Sequence, residues 1–185
     1  CEKTDGERHM MVATTFEGKP KCFFVNRAFD MFEVKINLNK RAYEGTILDG
    51  ELYDNTLMIY DALLINGEPV GHLGLCHRLT EAEKLLKMVV YMSFDKYRLK
   101  MKTFYAFSDF EYFMDGYLPT VQQKVDGIVF TPLNEPVRIG THETMFKWKP
   151  REKNTVDFQM KRGMSFDGVG TPGVPVWKLY VQEKG

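Results

Sequence analysis

The chain has 185 residues, of which 44% are hydrophobic and 27% charged, an ordinary composition for a folded domain, or for one domain and the start of another. Its 25 basic and 25 acidic side chains give a formal net charge of zero, which argues against a protein that coats nucleic acid non-specifically. No apolar run approaches the roughly 20 residues that span a bilayer. The three cysteines lack metal-like spacing, so we expect an intracellular protein without disulfides or membrane contact, in the nucleus or the cytoplasm.

The first third of the chain is predicted to be rich in antiparallel strands. Residues 16–20 (FEGKP) contain the glycine and proline typical of a hairpin loop, and residues 53–56 (YDNT) form a second turn-rich link. Apolar and β-branched residues are concentrated in the segments between these turns. The predicted strands cover residues 10–15, 21–25, 29–38, 45–52 and 57–64.

The clearest helix is predicted to start at Thr80. Residues 80–83 (TEAE) have the form of a capping box, and apolar residues follow at near-helical spacing as far as residue 93. A second, shorter helix is predicted over residues 108–117. Further strands are predicted over residues 126–130, 145–148, 155–160 and 176–181.

Many short strands, few helices and no regular alternation between the two predict an α+β fold with antiparallel sheets. Residues 163–175 contain four glycines and two prolines, which are typical of a hinge or linker. We therefore expect one main domain over residues 1–162. Residues 163–185 are expected to form the hinge, with room for the start of another domain.

The first motif that carries chemistry is Lys3-Thr4-Asp5-Gly6-Glu7-Arg8. A lysine amine is a nucleophile only when it is deprotonated, and an arginine can bind ligand oxygens through two parallel hydrogen bonds. Taken alone, the hexapeptide is better explained as a surface turn with solvated charges.

Two acids and an aromatic residue follow. Asp49-Gly50-Glu51 places carboxylates at the end of an apolar strand, where they could bind a divalent cation or ribose hydroxyls; a simple β-turn is the alternative. Tyr60 and Asp61 should point to opposite faces of the next strand, so that Tyr60 could stack on a base. The alternative for Tyr60 is an ordinary core position.

The last two motifs combine an acid with two cations. Asp126 opens the apolar strand of residues 125–132, and Lys147 and Lys149 alternate with Trp148 so that both lysines should share one strand face. Two cations on one face of a buried site would collect phosphate charge. The alternative is an edge strand kept soluble by its lysines.

The order of these motifs resembles the covalent nucleotidyltransferase superfamily, which contains DNA ligases, RNA ligases and mRNA capping enzymes. The resemblance covers roughly residues 3–158. Its details are closer to capping enzymes, because residues 126–132 read DGIVFTP, whereas ligases usually have Glu-Gly there and a Lys or Arg in place of Thr131. Residues 154–158 (NTVDF) also match the capping family's pattern.

The resemblance implies an mRNA guanylyltransferase that takes GMP from GTP onto Lys3 and passes it to the 5′-diphosphate end of an RNA. Lys3 would be the catalytic nucleophile, Asp126 would hold Mg²⁺ or Mn²⁺, and the remaining residues would bind the nucleotide. Those nucleotide-binding residues are Arg8, Glu51, Tyr60, Lys147 and Lys149.

The same resemblance implies more chain than the 185 residues. The nucleotidyltransferase domain over residues 1–162 would lack an N-terminal portion, and most of the family's OB-fold lid would lie outside the chain. Triphosphatase or methyltransferase activities would be partners, in some proteins on the same polypeptide. Two alternatives stay open: an ATP-dependent DNA or RNA ligase that uses the same lysine, and a non-catalytic domain that binds RNA or a partner protein.

Overall fold

The computed structural model of the protein describes residues 1–164 and 175–181. It has the predicted α+β fold, with sheets that are largely antiparallel. The chain divides into two compact units, Cys1–Lys149 and Pro150–Gly185. The first unit contains all seven residues predicted for the site, from Lys3 to Lys149. No helix within the described ranges is long and apolar enough to cross a bilayer.

A seven-stranded sheet forms the body of the first unit. The strands are β2 (Glu7–Phe16), β3 (Lys19–Asn26), β4 (Met31–Glu33), β5 (Thr46–Tyr53), β6 (Thr56–Ile65), β7 (Glu68–Pro69) and β8 (Arg98–Met101). They lie side by side in the order β4-β3-β2-β5-β6-β7 with antiparallel pairing, and β8 pairs in parallel with β6. The two hairpins predicted over residues 10–25 and 45–64 are therefore confirmed.

The core lies on one face of this sheet, because alternate residues of its strands are apolar. Met11, Phe24, Leu48 and Ile59 are fully buried there. Helix α1 (Leu75–Leu86) covers this core with Ala82 and Leu85 and is the longest helix described. The other helical segments are short: 3₁₀ turns at Lys40–Glu44, Phe107–Asp109, Leu118–Thr120 and Arg151–Lys153, α2 at Phe110–Tyr112, and a π-helical turn at Phe113–Tyr117.

A smaller, three-stranded sheet stands beside the large one. It consists of β1 (Glu2–Thr4), β9 (Val125–Phe130) and β10 (Phe146–Trp148), with β9 in the centre. Only Asp5 and Gly6 separate β1 from β2, so this link carries the chain from one sheet directly into the other. The link is held on both sides: the backbone N–H of Asp5 donates to the carbonyl of Lys124 at 2.9 Å, and Gly6 packs against the carbonyl of Leu52.

The predicted start of the long helix is wrong. Helix α1 begins at Leu75, after Gly74, and Thr80 lies inside it. The hydroxyl of Thr80 donates to the carbonyl of Cys76 one turn earlier, at 2.8 Å, so it caps nothing. A threonine can make this bond within a helix as readily as it can cap one, and the local sequence does not distinguish the two. The helix also ends at Leu86 instead of continuing to residue 93.

Two predicted strands are shorter or displaced. The prediction over residues 29–38 is reduced to β4 (Met31–Glu33), although Val34, Ile36 and Leu38 are buried in alternation, as a strand pattern requires. These three side chains are buried in the core, but the segment after Glu33 has no partner strand among the described residues, so the apolar alternation continues beyond the end of the strand. The prediction over residues 155–160 shifts to β11 (Gln159–Met164), which pairs with β12 (Pro175–Tyr180) in the second unit. The predicted strand at 176–181 is thus confirmed.

The predicted helix over residues 108–117 is confirmed as a helical region, divided into 3₁₀, α and π turns. Most of the predicted hinge, residues 165–174 of 163–175, lies outside the described residues. The division between the compact units falls between Lys149 and Pro150, whereas the domain boundary expected from the sequence after residue 162 stays a prediction.

Candidate active site

A cavity of about 670 Å³ lies in the first unit, and both of its sheets contribute to its wall. Five of the seven residues predicted for the site line it: Lys3, Arg8, Glu51, Tyr60 and Lys147. The other two, Asp126 and Lys149, reach it through contact with Lys3 and with each other. Residues up to 146 positions apart in the sequence are thereby brought to one place.

Asp126 is the centre of the part built by the three-stranded sheet. Its Oδ1 accepts a hydrogen bond from Nζ of Lys3 at 2.8 Å, and its Oδ2 lies 2.7 Å from Nζ of Lys149. Burial by itself raises the pKa of the Asp126 carboxyl, but hydrogen bonds from Lys149 and Lys3 outweigh it and leave that pKa below its usual value. One ionised carboxylate therefore holds two ammonium groups.

Gly127 makes this arrangement sterically possible. A Cβ atom at this position would lie 2.0 Å from the backbone carbonyl oxygen of Trp148. Strands β9 and β10 can therefore approach closely only because residue 127 is a glycine. This close approach places Lys149 beside Asp126.

Lys147 faces the cavity among other cations. Burial, followed by the nearby charges of Arg27, Lys3 and Arg8, lowers its pKa. Lys149 lies just after the end of β10, so it reaches the site by its pairing with Asp126. Positive charge is concentrated on this side of the cavity, which favours an anionic ligand.

Arg8, Asp49 and Tyr60 form a paired group on the seven-stranded sheet. The guanidinium of Arg8 donates to both carboxylate oxygens of Asp49, at 2.9 and 2.5 Å, and the hydroxyl of Tyr60 donates to Oδ1 of Asp49 at 2.8 Å. Burial, followed by the charge of Asp49, raises the pKa of Tyr60 well above its usual range, and the hydrogen bond to Asp49 raises that of Arg8. The sequence had suggested that Asp49 could bind a divalent cation or ribose hydroxyls, whereas in the structure both of its carboxylate oxygens accept hydrogen bonds from Arg8 and Tyr60.

Lys102 is a further cavity residue that the sequence analysis missed. This lysine is almost fully buried and donates to Oε2 of Glu51 at 3.0 Å, while its Nζ lies 5.6 Å from the centre of the Tyr60 ring. It follows β8, in which Lys100 is exposed. Nothing in the sequence RLKMK tells the buried lysine from the exposed one.

Arg78 on helix α1 is the second residue that was missed. It is only 2% exposed, and it donates to both carboxylate oxygens of Asp61 at 2.6 and 2.9 Å. The same guanidinium also donates to the backbone carbonyls of Leu73 and Glu135. It thus ties β6 and α1 to the loop after β9, which lines another part of the cavity.

The described residues contain no group of three or more His, Cys, Asp or Glu side chains arranged to hold a metal ion. Magnesium, however, is commonly held by one or two carboxylates together with phosphate oxygens of a substrate. Asp126 fits this role as a single carboxylate, because its two oxygens already contact cations, the ammonium groups of Lys3 and Lys149.

A lysine paired with a carboxylate lies at a cation-rich cavity with a tyrosine in its wall, and this arrangement suits an anionic ligand. The family model described as "mRNA capping enzyme, catalytic domain" matches residues 1–151, and the chain belongs to that family.

Curated relatives carry the same description. The chain is 28% identical over 193 residues to the mRNA-capping enzyme subunit alpha of Candida glabrata, and 28% identical to that of Saccharomyces cerevisiae. It is 26% identical over 187 residues to the mRNA-capping enzyme of Danio rerio. Each comparison covers 86% of this chain but only 43%, 42% and 30% of the relative, respectively. The chain therefore spans less than half the length of these relatives.

Proposed function

We propose that this chain forms the guanylyltransferase core of an mRNA capping enzyme. It would take GMP from GTP onto Nζ of Lys3 and pass it to the 5′-diphosphate end of an RNA. The observation that carries the proposal is the position of Lys3, paired with Asp126 at the wall of a cavity whose other cations suit a triphosphate. Membership in the capping-enzyme family supports the same assignment.

The first step forms a P–N bond. The neutral amine of Lys3 attacks the α-phosphorus of GTP and releases one N–H proton to water, while the bond to the bridging oxygen of the β-phosphate breaks and pyrophosphate leaves with that electron pair. Lys147 and Lys149 stabilise the negative charge on the α-phosphate oxygens as the phosphorus becomes five-coordinate. Lys149 is available for this because the phosphate oxygens can take the place of Asp126.

The second step reverses the bonding at phosphorus. A terminal oxygen of the RNA diphosphate attacks the phosphorus held on Lys3, the P–N bond breaks, and Nζ regains a proton as it leaves. Storing GMP on the lysine allows GTP and RNA to use one site in turn. Asp126 then holds the ammonium group of Lys3 again, as in the structure described here.

The base and ribose would lie against the seven-stranded sheet. Tyr60 would stack on guanine with the ring face turned away from Lys102, and its hydroxyl is fixed by Asp49. Glu51, held by Lys102, and Arg8, held by Asp49, border the same cavity and would contact the ribose. Because these side chains are already paired, they lose little conformational freedom when a nucleotide binds.

Mg²⁺ or Mn²⁺ is the cofactor we propose, held by Asp126 with the phosphates of GTP. The ion would neutralise phosphate charge during the transfer. The other proposed partners are the RNA 5′ end and the remaining capping activities, triphosphatase and methyltransferase.

The test is covalent labelling of the full-length protein. With α-labelled GTP and a divalent cation, the protein should acquire label through an acid-labile, alkali-stable bond, and Lys3→Ala should abolish that label. Labelling by ATP instead of GTP would favour the ligase alternative. Absence of label from both nucleotides would leave the non-catalytic alternative in place and reject the proposal.

A further inference from the structure

A shallow groove lined mainly by aromatic side chains lies beside the candidate active site, within the same compact unit. Its lining consists of Phe107, Phe130, Phe146, Lys147 and Trp148. Phe107 is 78% exposed, Phe146 66% and Trp148 48%. Neighbouring exposed rings indicate a binding surface, because water is a poor environment for that much contiguous apolar area. We call this surface the aromatic groove.

The small sheet holds the aromatic groove in a fixed shape. Strand β10 is an edge strand, and Phe146 and Trp148 project from the same face of it because side chains alternate along a strand. Phe146 lies opposite Phe130 in the β9–β10 register. The ring of Phe130 packs against Phe107 and Phe110, with centroids 6.3 and 6.1 Å apart. The exposed rings therefore rest on a packed aromatic layer.

Lys147 connects the aromatic groove to the active-site cavity, because it lines both. Only the width of β10 lies between them. A chain whose end is inside the cavity, close to Lys3, can leave past Lys147 and meet the exposed rings directly. Lys147 also supplies the positive charge that a backbone phosphate needs at that crossing.

We propose that the aromatic groove binds the first unpaired nucleotides of the acceptor RNA, with their bases stacked on Phe146, Trp148 and Phe107. This inference rests on the proposed guanylyl transfer, which requires a second, polyanionic substrate beside Lys3. Stacking on aromatic rings does not depend on sequence, since every base has a π-face. A few stacked bases and one lysine also agree with a chain of zero net charge, which would hold a short RNA end instead of coating a long strand.

Direct binding tests the groove without any catalysis. The full-length protein is titrated into a fluorescently labelled, single-stranded RNA with a 5′-diphosphate end, and the anisotropy gives Kd. Phe146→Ala should raise Kd about tenfold, the scale of one lost base–aromatic stack. Phe146→Tyr should bind like the wild type, because it keeps a π-face. Phe146→Leu should bind nearly as weakly as Phe146→Ala, because it keeps only apolar area.

Phe94→Ala is the matched control, since Phe94 is 80% exposed and lies outside the groove. Its Kd for the RNA should equal that of the wild type. Equal Kd values for Phe146→Ala and Phe94→Ala would overturn the proposal. If Phe146→Leu binds RNA as well as Phe146→Tyr, base stacking on Phe146 is excluded and the proposal is overturned.

Transfer from preloaded protein gives a second measurement. The lysyl-GMP form is made, freed of GTP, and supplied with either the RNA or a nucleoside diphosphate that is too short to reach the groove. The ratio of the two KM values should change about tenfold in Phe146→Ala. An unchanged ratio would contradict the proposal. If the wild type forms no lysyl-GMP, the proposed function fails, and the anisotropy titration still decides whether the groove binds RNA.

Discussion

The two sheets of the first unit contribute to the cavity in different ways. The seven-stranded sheet provides side chains that are already paired with one another, such as Arg8 with Asp49. The three-stranded sheet and the residue that follows it provide three lysines: Lys3 and Lys149 pair with one carboxylate, Asp126, and Lys147 lines the cavity. The first region is thus a fixed wall, whereas the second carries more cations than acids and can exchange a carboxylate for phosphate oxygens. Under the proposed function, the fixed wall would select the nucleoside by its shape and the excess charge would bind its phosphates.

Lys3→Arg is the sharpest test of the three-stranded sheet's chemistry. Arginine keeps the positive charge that pairs with Asp126 but stays protonated, so it cannot attack phosphorus. Label from α-labelled GTP should fall to background, while the free energy of unfolding, measured in urea, stays close to the wild-type value. Substantial labelling of this variant would mean that another residue carries the GMP.

Arg78→Met tests how much the buried ion pair between Arg78 and Asp61 stabilises the folded chain. The substitution leaves the buried carboxylate of Asp61 without its partner, which should cost about 3–5 kcal/mol of unfolding free energy. Denaturant titration measures this loss. The control is Lys84→Met on the same helix, where an exposed ion pair with Glu81 is lost and about 0.5 kcal/mol or less should change. Similar losses in both variants would show that Asp61 finds water or another donor.

Lys147→Ala and Lys149→Ala remove charge from the phosphate region. Each should slow lysyl-GMP formation by roughly 10²-fold, the scale of removing one preorganised electrostatic group. Rapid-quench labelling gives the rate, with the exposed Lys19→Ala on β3 as the control. Wild-type rates in both variants would indicate that the two lysines do not contact the phosphates and only keep an edge strand soluble.

Tyr60 allows the hydroxyl and the ring to be tested separately. Tyr60→Phe removes the hydrogen bond to Asp49 and should cost about 1 kcal/mol of unfolding free energy, with little change in GTP affinity. Tyr60→Ala removes the stacking surface as well and should weaken GTP binding by about 1–3 kcal/mol in calorimetry. If both variants bind GTP equally weakly, the hydroxyl and not the ring is the contact.

The smallest expected effect is the pH dependence due to Asp126. Because its pKa is below the usual value in the folded protein, its stabilising contribution is complete above the unfolded-state pKa near 4 and is lost as pH falls through the folded-state pKa. The difference in unfolding free energy between wild type and Asp126→Asn should therefore be on the order of 1 kcal/mol at neutral pH and shrink in acid. A difference that grows in acid would contradict this sign.

Much of the fold and of the site follows from local patterns in the sequence. Turn residues between apolar segments located the hairpins of the large sheet, and the motif order placed Lys3, Asp126 and Lys149 in one family-defined site. Lys102 and Arg78 could not be found in this way, because their partners lie 51 and 17 residues away and nothing local distinguishes a buried cation from a solvated one. Thr80 was misinterpreted because its hydroxyl satisfies a carbonyl inside the helix instead of an amide at its start.

The short link of Asp5 and Gly6 sets a length as well as a path. It joins the strand that carries Lys3 to the strand that carries Arg8, and it is pinned by Lys124 on one side and Leu52 on the other. A Cβ at Gly6 would lie 2.7 Å from the carbonyl oxygen of Leu52, so the link has no slack. It therefore fixes the separation between Lys3 and Arg8, which lie on either side of it. Lengthening it by one residue would move Lys3 away from Arg8, and under the proposed function a single nucleotide would then no longer contact both.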